Sequence, residues 1–259
     1  MLYSASELKN HPYNVLTPEI VLLGSSNVGK SSFLNALVGV PNTAHVGPRP
    51  GKTTLMNAYG SGPDPIIAKN LISPGTPPPR HSLIVMDTPG YGFKSQAAWG
   101  ETIVQYLSAR KALKGAVLLL SSEKKRVLKE DRLVLRKLAE TNTRTLTVLT
   151  KADKMGAEWA AQCAEFAAVV QEELTGIARE VNREWTEGEG WVADVFVTAA
   201  GMKSAKGAGA GMGGVRAAIL DMAGIEVEEK VPDPDAKPAS ENKEYTGKIV
   251  SFDDIQWKS

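Results

Sequence analysis

The segment VLLGSSNVGKSSFLNAL, which runs from Val21 to Leu37, constrains the fold more than any other part of the chain. An apolar run ends at a glycine, Gly-Lys-Ser-Ser follows, and a second apolar pattern begins with the spacing of a helix. Gly24–Ser31 matches G-x-x-x-x-G-K-[ST], a loop whose backbone N–H groups cradle phosphates at a helix start. Lys30 is predicted to contact the β- and γ-phosphates, and the Ser31 hydroxyl to ligate Mg²⁺. The residues assigned to this cradle are Gly24, Ser25, Ser26, Asn27, Val28, Gly29, Lys30, Ser31 and Ser32.

The phosphate loop alone leaves kinases, ATPases and GTPases open, and the stretch IVMDTPGYGF narrows the choice. Asp87 ends an apolar run and is followed by x-x-Gly. It is therefore predicted to support Mg²⁺ through a bound water, and Gly90 to offer its N–H to a γ-phosphate. An Asp-Thr-Pro-Gly turn is common by itself, so its position downstream of a phosphate loop carries the inference.

The stretch LTVLTKADK indicates which base is bound. Thr150-Lys151-Ala152-Asp153 follows an apolar run, and the carboxylate of Asp153 can accept two hydrogen bonds from guanine, whereas adenine presents no such donor pair. The aliphatic stem of Lys151 can lie over the base. After the next apolar run, Thr198–Ala200 can give a backbone N–H to the guanine carbonyl. Taken in order, these motifs predict a guanine-nucleotide domain that binds GTP and GDP. The residues assigned to the base side are Thr150, Lys151, Asp153, Thr198, Ala199 and Ala200.

Short apolar runs that alternate with helical patterns predict the fold class. The six predicted strands are Ile20–Leu23, Leu55–Tyr59, Leu83–Met86, Ala116–Leu120, Leu146–Leu149 and Val195–Val197. The five predicted helices are Ser31–Val38, Trp99–Leu113, Val127–Glu140, Glu158–Trp185 and Gly214–Ala223. The pattern predicts a three-layer α/β domain with a mostly parallel, six-stranded sheet and helices on both faces. No helix separates the second and third strands, so these two are predicted to form one antiparallel pair.

Composition excludes several classes of protein. The net charge of +1 gives no global attraction to nucleic acid or membranes, and no apolar run approaches the roughly 18 residues that span a bilayer. The single cysteine, Cys163, forms no intrachain disulfide and lies on an apolar helical stripe, which predicts a small buried hydrophobic residue. Positive charge is locally in excess between residues 110 and 137, which contain ten Lys or Arg and three Asp or Glu.

The same motifs resemble the EngB family of ribosome-assembly GTPases. PEIVLLGSSNVGKSSFLNAL is similar to the opening of that family, RPGKTTLMNAYG to its switch segment, and DTPGYGF and WGETIVQYLSARKALKGAVLLL to the parts that follow. The match extends from about Ser4 to Ala223. Two departures are Ser25, where the family has arginine, and SSEKKR, where the family has an acidic residue and an arginine after the fourth strand.

The resemblance implies further site residues. Gly51, Lys52 and Thr53 would form the nucleotide-binding switch, and Thr53 would ligate Mg²⁺, with Thr54 as the alternative. Tyr91 occupies the position where Ras-like GTPases have a glutamine that orients water, so slow intrinsic turnover is expected. Several GTPases without that glutamine bind K⁺ through an asparagine in the position of Asn27. The residues assigned to catalysis are therefore Lys30, Thr53, Gly90 and Asn27.

The motifs predict hydrolysis of GTP to GDP and phosphate by a monomer, and the resemblance implies that this activity helps to assemble the large ribosomal subunit. One alternative is a phosphate-loop kinase or ATPase, which the Thr-Lys-Ala-Asp motif disfavours. Another is a guanine-nucleotide switch with negligible hydrolysis and a non-ribosomal partner. The basic residues Lys124, Lys125, Arg126 and Lys129 are either a solvated helix face or a contact for ribosomal RNA phosphates.

The predicted organisation is an extension over residues 1–17, a GTPase domain over 18–225 and an acidic, disordered tail over 226–259. Within the domain, a proline-rich insertion covers 60–81 and a glycine-rich loop covers 203–214. These elaborations go beyond compact bacterial members of the resembled family. They favour a eukaryotic protein of the mitochondrial matrix over one of a bacterial-type cytoplasm.

Overall fold

The fold is taken from a computed structural model, which describes residues 1–40, 43–44, 55–72, 75, 77–92, 96–200 and 209–226, with only the backbone of 96–99. The strands are β1 (Tyr3–Ala5), β2 (Glu19–Gly24), β3 (Met56–Ser61), β4 (Leu83–Asp87), β5 (Leu113–Ser121), β6 (Thr145–Thr150) and β7 (Trp191–Val197). The helices are α1 (Lys30–Val38), α2 (Gln96–Ala109), α3 (Lys129–Glu140), α4 (Trp159–Val181) and α5 (Met212–Ala223). The tail, residues 45–54 and most of the glycine-rich loop lie outside the described residues.

The seven strands found in the described residues form one mixed sheet in the order β1-β3-β4-β2-β5-β6-β7. The neighbours from β4 to β7 are parallel, and β3 pairs antiparallel with β4, as predicted from the missing crossover helix. The α/β fold with helices on both faces is confirmed.

The predicted count of six strands is wrong, because β1 adds an antiparallel edge strand beside β3. The Leu2 N–H donates to the Ala58 carbonyl oxygen at 2.7 Å, and three short pairs follow. A strand of three residues that includes a serine has no apolar run to reveal it. Its partner strand is more than fifty residues away, so only the folded chain shows the pairing.

Each central strand is covered on both faces because its side chains alternate between two apolar cores. Val21 and Leu23 lie in the core under α2, α3 and α4, whereas Ile20 and Leu22 lie in the core under α1 and α5. Cys163 is buried in the first core with its Sγ 3.6 Å from the Ser122 Oγ, which confirms the predicted structural role.

Two predicted helices are too long. Helix α2 ends at Ala109, not Leu113, because Leu113 begins β5. Helix α4 ends at Val181, not Trp185. Trp185 is nevertheless buried, since its indole N–H donates to the Thr143 carbonyl oxygen at 2.9 Å and its ring packs on Trp191. Apolar spacing continues past both helix ends, so periodicity alone could not locate them.

A buried ion pair closes the end of the sheet opposite the phosphate loop. Glu19, at the start of β2, accepts two hydrogen bonds from the Arg110 guanidinium at 2.8 Å, one from Tyr106 at 2.6 Å and one from Asn14 at 2.7 Å. Burial opposes ionisation of Glu19, but these donors outweigh it and hold the pKa of Glu19 below its ordinary value. The donors also attach residues 1–17 to the domain, because Arg110 binds the Pro12 carbonyl oxygen as well.

Among the described residues, none of the helices combines the length and the apolar composition that spanning a membrane requires.

A candidate nucleotide site at the carboxyl ends of the strands

The phosphate loop lies between β2 and α1, at the edge of the sheet where the parallel strands end. Asn27 and Gly29 have φ values of 64° and 105°, a left-handed conformation that asparagine and glycine tolerate best. Gly24 is packed so closely that a Cβ there would lie 3.0 Å from the Leu119 carbonyl oxygen. The loop therefore turns tightly enough to aim its N–H groups at an anion beside the positive end of α1.

Lys30 begins α1 and is only 8% exposed. Its Nζ donates to the Gly24 carbonyl oxygen at 2.9 Å and lies 3.4 Å from the Ser25 carbonyl oxygen. Burial lowers the pKa of Lys30 to about 8, although the negative charge of Asp87 opposes the shift. A buried ammonium held by carbonyl oxygens is suited to bind phosphate oxygens, whose negative charge would raise the pKa of Lys30 again.

Asp87 ends β4 and is 2% exposed. Its Oδ1 is buried and has no hydrogen-bond partner among the described residues. Burial raises the pKa of Asp87 to about 6, and the nearby Lys30 only partly offsets this. An unpartnered carboxylate oxygen beside the phosphate loop is the acceptor that a water on Mg²⁺ requires, so the residues present fit that ion. The next residue, Thr88, fixes the strand end by donating its hydroxyl to the Leu22 carbonyl oxygen at 2.7 Å.

The turn after Asp87 packs directly on the phosphate loop. The Ser26 N–H donates to the Tyr91 carbonyl oxygen at 2.9 Å, and the Ser26 hydroxyl donates to the Gly90 carbonyl oxygen at 3.3 Å. A Cβ on Gly90 would lie 2.8 Å from the Ser26 Cα. The two predicted phosphate-contacting segments are therefore adjacent, and only glycine fits at the contact.

The predicted base-reading residues follow β6. Thr150 is buried, and its hydroxyl donates to the Val28 carbonyl oxygen at 2.7 Å, so it braces the phosphate loop. Lys151 has a φ of 62°, and its Nζ lies 2.8 Å from the Glu123 carboxylate. Asp153 is exposed in the short turn Ala152–Lys154, where its carboxylate is open to a ligand.

The segment after β7 contributes backbone groups. The N–H groups of Thr198 and Ala199 donate to the Leu149 and Ala210 carbonyl oxygens at 2.8 and 3.1 Å. The Thr198 carbonyl oxygen accepts from the Ala152 N–H at 3.2 Å, which holds this segment beside the base-reading turn. Of the three residues predicted here, Ala200 is thus the one whose N–H remains a candidate for the guanine carbonyl. The other two shape the segment.

The remaining predicted residues divide into two sets. Ser25, Ser31 and Ser32 lie in the loop and the first turn of α1, where each is partly exposed. The switch residues Gly51, Lys52 and Thr53, together with the alternative Thr54, lie outside the described residues. Their predicted roles remain predictions.

The basic residues near the start of α3 form two sets. Arg132 and Arg136 pair with Glu173 and Glu180 of α4 at 3.0 and 2.7 Å, and Lys137 pairs within α3. The second set is exposed and forms no ion pair among the described residues; we call it the basic surface, and it consists of Lys124, Lys125, Arg126 and Lys129. The sequence predicted all of these side chains to face outward and could not distinguish the two sets, because the ion pairs depend on how α4 packs against α3.

Two residues near the site were missed by the sequence analysis. Glu123 pairs with Lys151, and Asp131 binds the Tyr91 hydroxyl at 2.5 Å. The signal for Glu123 was its place directly after a strand that ends beside β6. The signal for Asp131 was an acidic side chain in the first turn of a helix, a common capping position.

A phosphate loop, a buried Asp-x-x-Gly turn and a guanine-type turn at the same edge of a mixed sheet define the chain as a P-loop GTPase. A family model described as a 50S ribosome-binding GTPase matches residues 19–151. The chain is 32% identical to the GTP-binding protein EngB of Shouchella clausii over 190 residues, which cover 71% of this chain and 81% of that protein. The chain belongs to the EngB family.

One further relative supports the family assignment, and one solved structure supports the fold. EngB of Limosilactobacillus fermentum is 35% identical over 157 residues, covering 59% of this chain and 70% of that protein. The crystal structure of Toc33 from Arabidopsis thaliana in complex with GDP and Mg²⁺ superimposes with a TM-score of 0.56 at 19% identity. It covers 80% of this chain and 84% of that chain, and it shows a common fold.

Proposed function

We propose that this GTPase acts as an assembly factor for the large ribosomal subunit in the mitochondrial matrix. Its own residues explain how GTP would be held. Lys30 and the first N–H groups of α1 bind the phosphates, and the Gly90 turn, packed on Ser26, offers an N–H to the γ-phosphate. Asp153 accepts guanine N–H groups, and the stem of Lys151, held by Glu123, lies over the base.

Hydrolysis in this site depends on position and charge. Ser31, Thr53 and, through water, Asp87 would hold Mg²⁺, which when bound neutralises charge on the phosphate oxygens. Lys30 neutralises a further part of that charge in a buried setting, where an electrostatic attraction is stronger than in water. Asn27 is the proposed ligand for K⁺ beside the phosphates. Asparagine also tolerates the φ of 64° that the loop requires at this position. The cation role of the Asn27 side chain therefore needs its own test.

The basic surface is the part of the protein that we propose to contact ribosomal RNA. Its four cationic side chains form no ion pair among the described residues, unlike Arg132 and Arg136. Ribosomal RNA offers phosphates at high density, and each contact makes binding weaker as salt rises. The match to a 50S ribosome-binding family supports the same partner.

Cosedimentation with large ribosomal subunits tests this proposal. Lys124→Glu/Lys125→Glu should abolish association at physiological salt, and at low salt the log–log salt slope should become shallower by about 1 to 2. GTP affinity should not change. Lys111→Glu/Lys114→Glu is the matched control, because it reverses the same charge at two exposed lysines near the opposite end of β5. Equal loss of association in both variants would show that net charge, rather than this surface, mediates binding.

One observation favours a second function, a guanine-nucleotide switch with negligible hydrolysis. Tyr91 stands where a water-orienting glutamine would be, and its hydroxyl is bound to Asp131 inside the protein. The residue directly after Gly90 therefore has no amide with which to orient water. Single-turnover hydrolysis with and without large subunits separates the two functions. The rate of GTP hydrolysis by an assembly factor should rise when the subunit is added, whereas the rate of a switch should stay slow with and without it.

The mitochondrial location rests on the proline-rich and glycine-rich elaborations in the sequence. Localisation of the full-length protein by fluorescence microscopy, with a matrix marker, tests it. Diffuse cytoplasmic signal would favour the bacterial-type alternative.

A further inference from the structure

Tyr91 connects the nucleotide site with helix α3. Its backbone carbonyl oxygen accepts the Ser26 N–H of the phosphate loop at 2.9 Å, and its side chain is 5% exposed. Its hydroxyl donates to the Asp131 Oδ1 at 2.5 Å. A single residue, directly after the Gly90 that is predicted to contact the γ-phosphate, is thus bonded to both the phosphate loop and α3.

Asp131 uses its second carboxylate oxygen to hold the start of α3. The Oδ2 accepts the Leu128 N–H at 3.1 Å. Leu128 is the N-cap residue of α3, and leucine has no side-chain acceptor with which to cap a helix. The Asp131 carboxylate therefore receives the Tyr91 hydroxyl on one oxygen and orders the helix start with the other.

The helix start that Asp131 orders lies within the basic surface. Leu128 stands between Arg126 and Lys129, and its carbonyl oxygen accepts the Arg132 N–H at 3.0 Å. The opposite end of the same segment also meets the nucleotide site, since Glu123 pairs with Lys151. The basic surface is therefore attached to the phosphate side of the site through Asp131 and to the base side through Glu123.

We propose that Asp131 is a positioning residue that couples the Gly90 turn to the basic surface, so that the γ-phosphate controls the geometry of the RNA contact. The ribosomal consequence rests on the proposed function, whereas the coupling itself is a property of the free protein. Both groups are buried, so breaking the hydrogen bond between the Tyr91 hydroxyl and the Asp131 carboxylate would leave them without water to replace it, which is energetically costly. When the γ-phosphate draws the Gly90 turn, the start of α3 moves with it.

Hydrogen–deuterium exchange of the full-length protein, bound to GDP or to a non-hydrolysable GTP analogue, tests the coupling. In the wild type, peptides covering residues 122–132 should exchange about fivefold more slowly with the analogue than with GDP, a change equivalent to one net hydrogen bond. In Tyr91→Phe this difference should fall below about twofold, while affinity for GDP stays the same.

Tyr106→Phe is the matched control. Tyr106 also donates its hydroxyl to a buried carboxylate, that of Glu19, at 2.6 Å, but at the far end of the sheet. It should retain the full difference between nucleotides. Asp131→Asn is the second test variant, because its NH₂ group replaces one of the two carboxylate oxygens, so the Tyr91 hydroxyl and the Leu128 N–H can no longer donate to separate oxygens. It should lose the difference as Tyr91→Phe does.

The outcomes distinguish this inference from the proposed function. Equal exchange in the two nucleotide states of the wild type, or a difference that survives in Tyr91→Phe, would overturn the coupling. In subunit cosedimentation, Tyr91→Phe should bind large subunits equally well with GDP and with the GTP analogue, whereas the wild type should bind them better in one of these two states. If the exchange difference is present and behaves as expected but no variant binds subunits, the coupling stands and the ribosomal partner is wrong.

Discussion

Replacement of Gly90 by alanine is the most direct perturbation of the site. Gly90 adopts no positive φ, so alanine is compatible with its backbone. The obstacle is contact: the added Cβ would lie 2.8 Å from the Cα, 2.9 Å from the N and 2.9 Å from the Oγ of Ser26. Because two of these atoms belong to the backbone of the phosphate loop, no rotamer change relieves the overlap.

The size of the effect follows from this geometry. To reach an ordinary contact of 3.4 Å, the turn and the loop must separate by about 0.6 Å. The phosphate loop is held by β2, by α1 and by the Thr150 hydroxyl, so the turn is the part that moves. Overpacking of this kind costs about 1–3 kcal/mol, equivalent to roughly 5- to 150-fold in an affinity that depends on the closed arrangement.

The assay is isothermal titration of the purified variant with GDP and with a non-hydrolysable GTP analogue. Analogue affinity should fall by at least about fivefold, while GDP affinity stays within about threefold, because only the γ-phosphate needs the Gly90 N–H. Gly176→Ala in α4 is the control, since its added Cβ meets no atom within 4 Å. It should leave both affinities unchanged. Unchanged analogue affinity and hydrolysis in Gly90→Ala would refute the reasoning.

Three further predictions follow from the same site and from the ion pair at the other end of the sheet. Asp153→Asn should weaken GTP binding about 10- to 100-fold and relax the preference over XTP, measured by competition, because an amide places a donor against guanine donors. Hydrolysis should be faster in K⁺ than in Na⁺ at equal ionic strength, and Asn27→Ala should erase the difference; equal rates in the wild type would remove the cation role. Glu19→Gln should cost about 3–5 kcal/mol of unfolding free energy at pH 7, because it leaves the Arg110 charge buried without its partner. The pKa of Glu19 is lowered in the folded protein, so its stabilisation is present above pH 4.5 and is lost as the pH falls through the folded value. Urea unfolding against pH should show this acid loss in the wild type and not in Glu19→Gln.

Features that are encoded over short distances could be predicted from the amino-acid sequence. The phosphate loop, the Asp87 turn and the Thr-Lys-Ala-Asp turn are contiguous, and each is recognisable because its chemistry requires fixed residues at fixed spacing. The strands β2, β4, β5 and β6 were also found, since strands buried on both faces are continuous apolar runs. Each of these features depends on neighbours within about ten residues.

Contacts between residues far apart in the chain became visible in the folded protein. The Thr150 hydroxyl donates to the Val28 carbonyl oxygen, 122 positions earlier, a contact that no sequence pattern indicated. The bond between Tyr91 and Asp131 and the pairing of β1 with β3 depend on sheet order and helix packing. No local pattern specifies such partners, because many polar side chains could satisfy the same donor and only the folded topology selects one. For this protein, the chemistry of nucleotide binding was therefore readable from the sequence, and its connection to the basic surface was visible only in the fold.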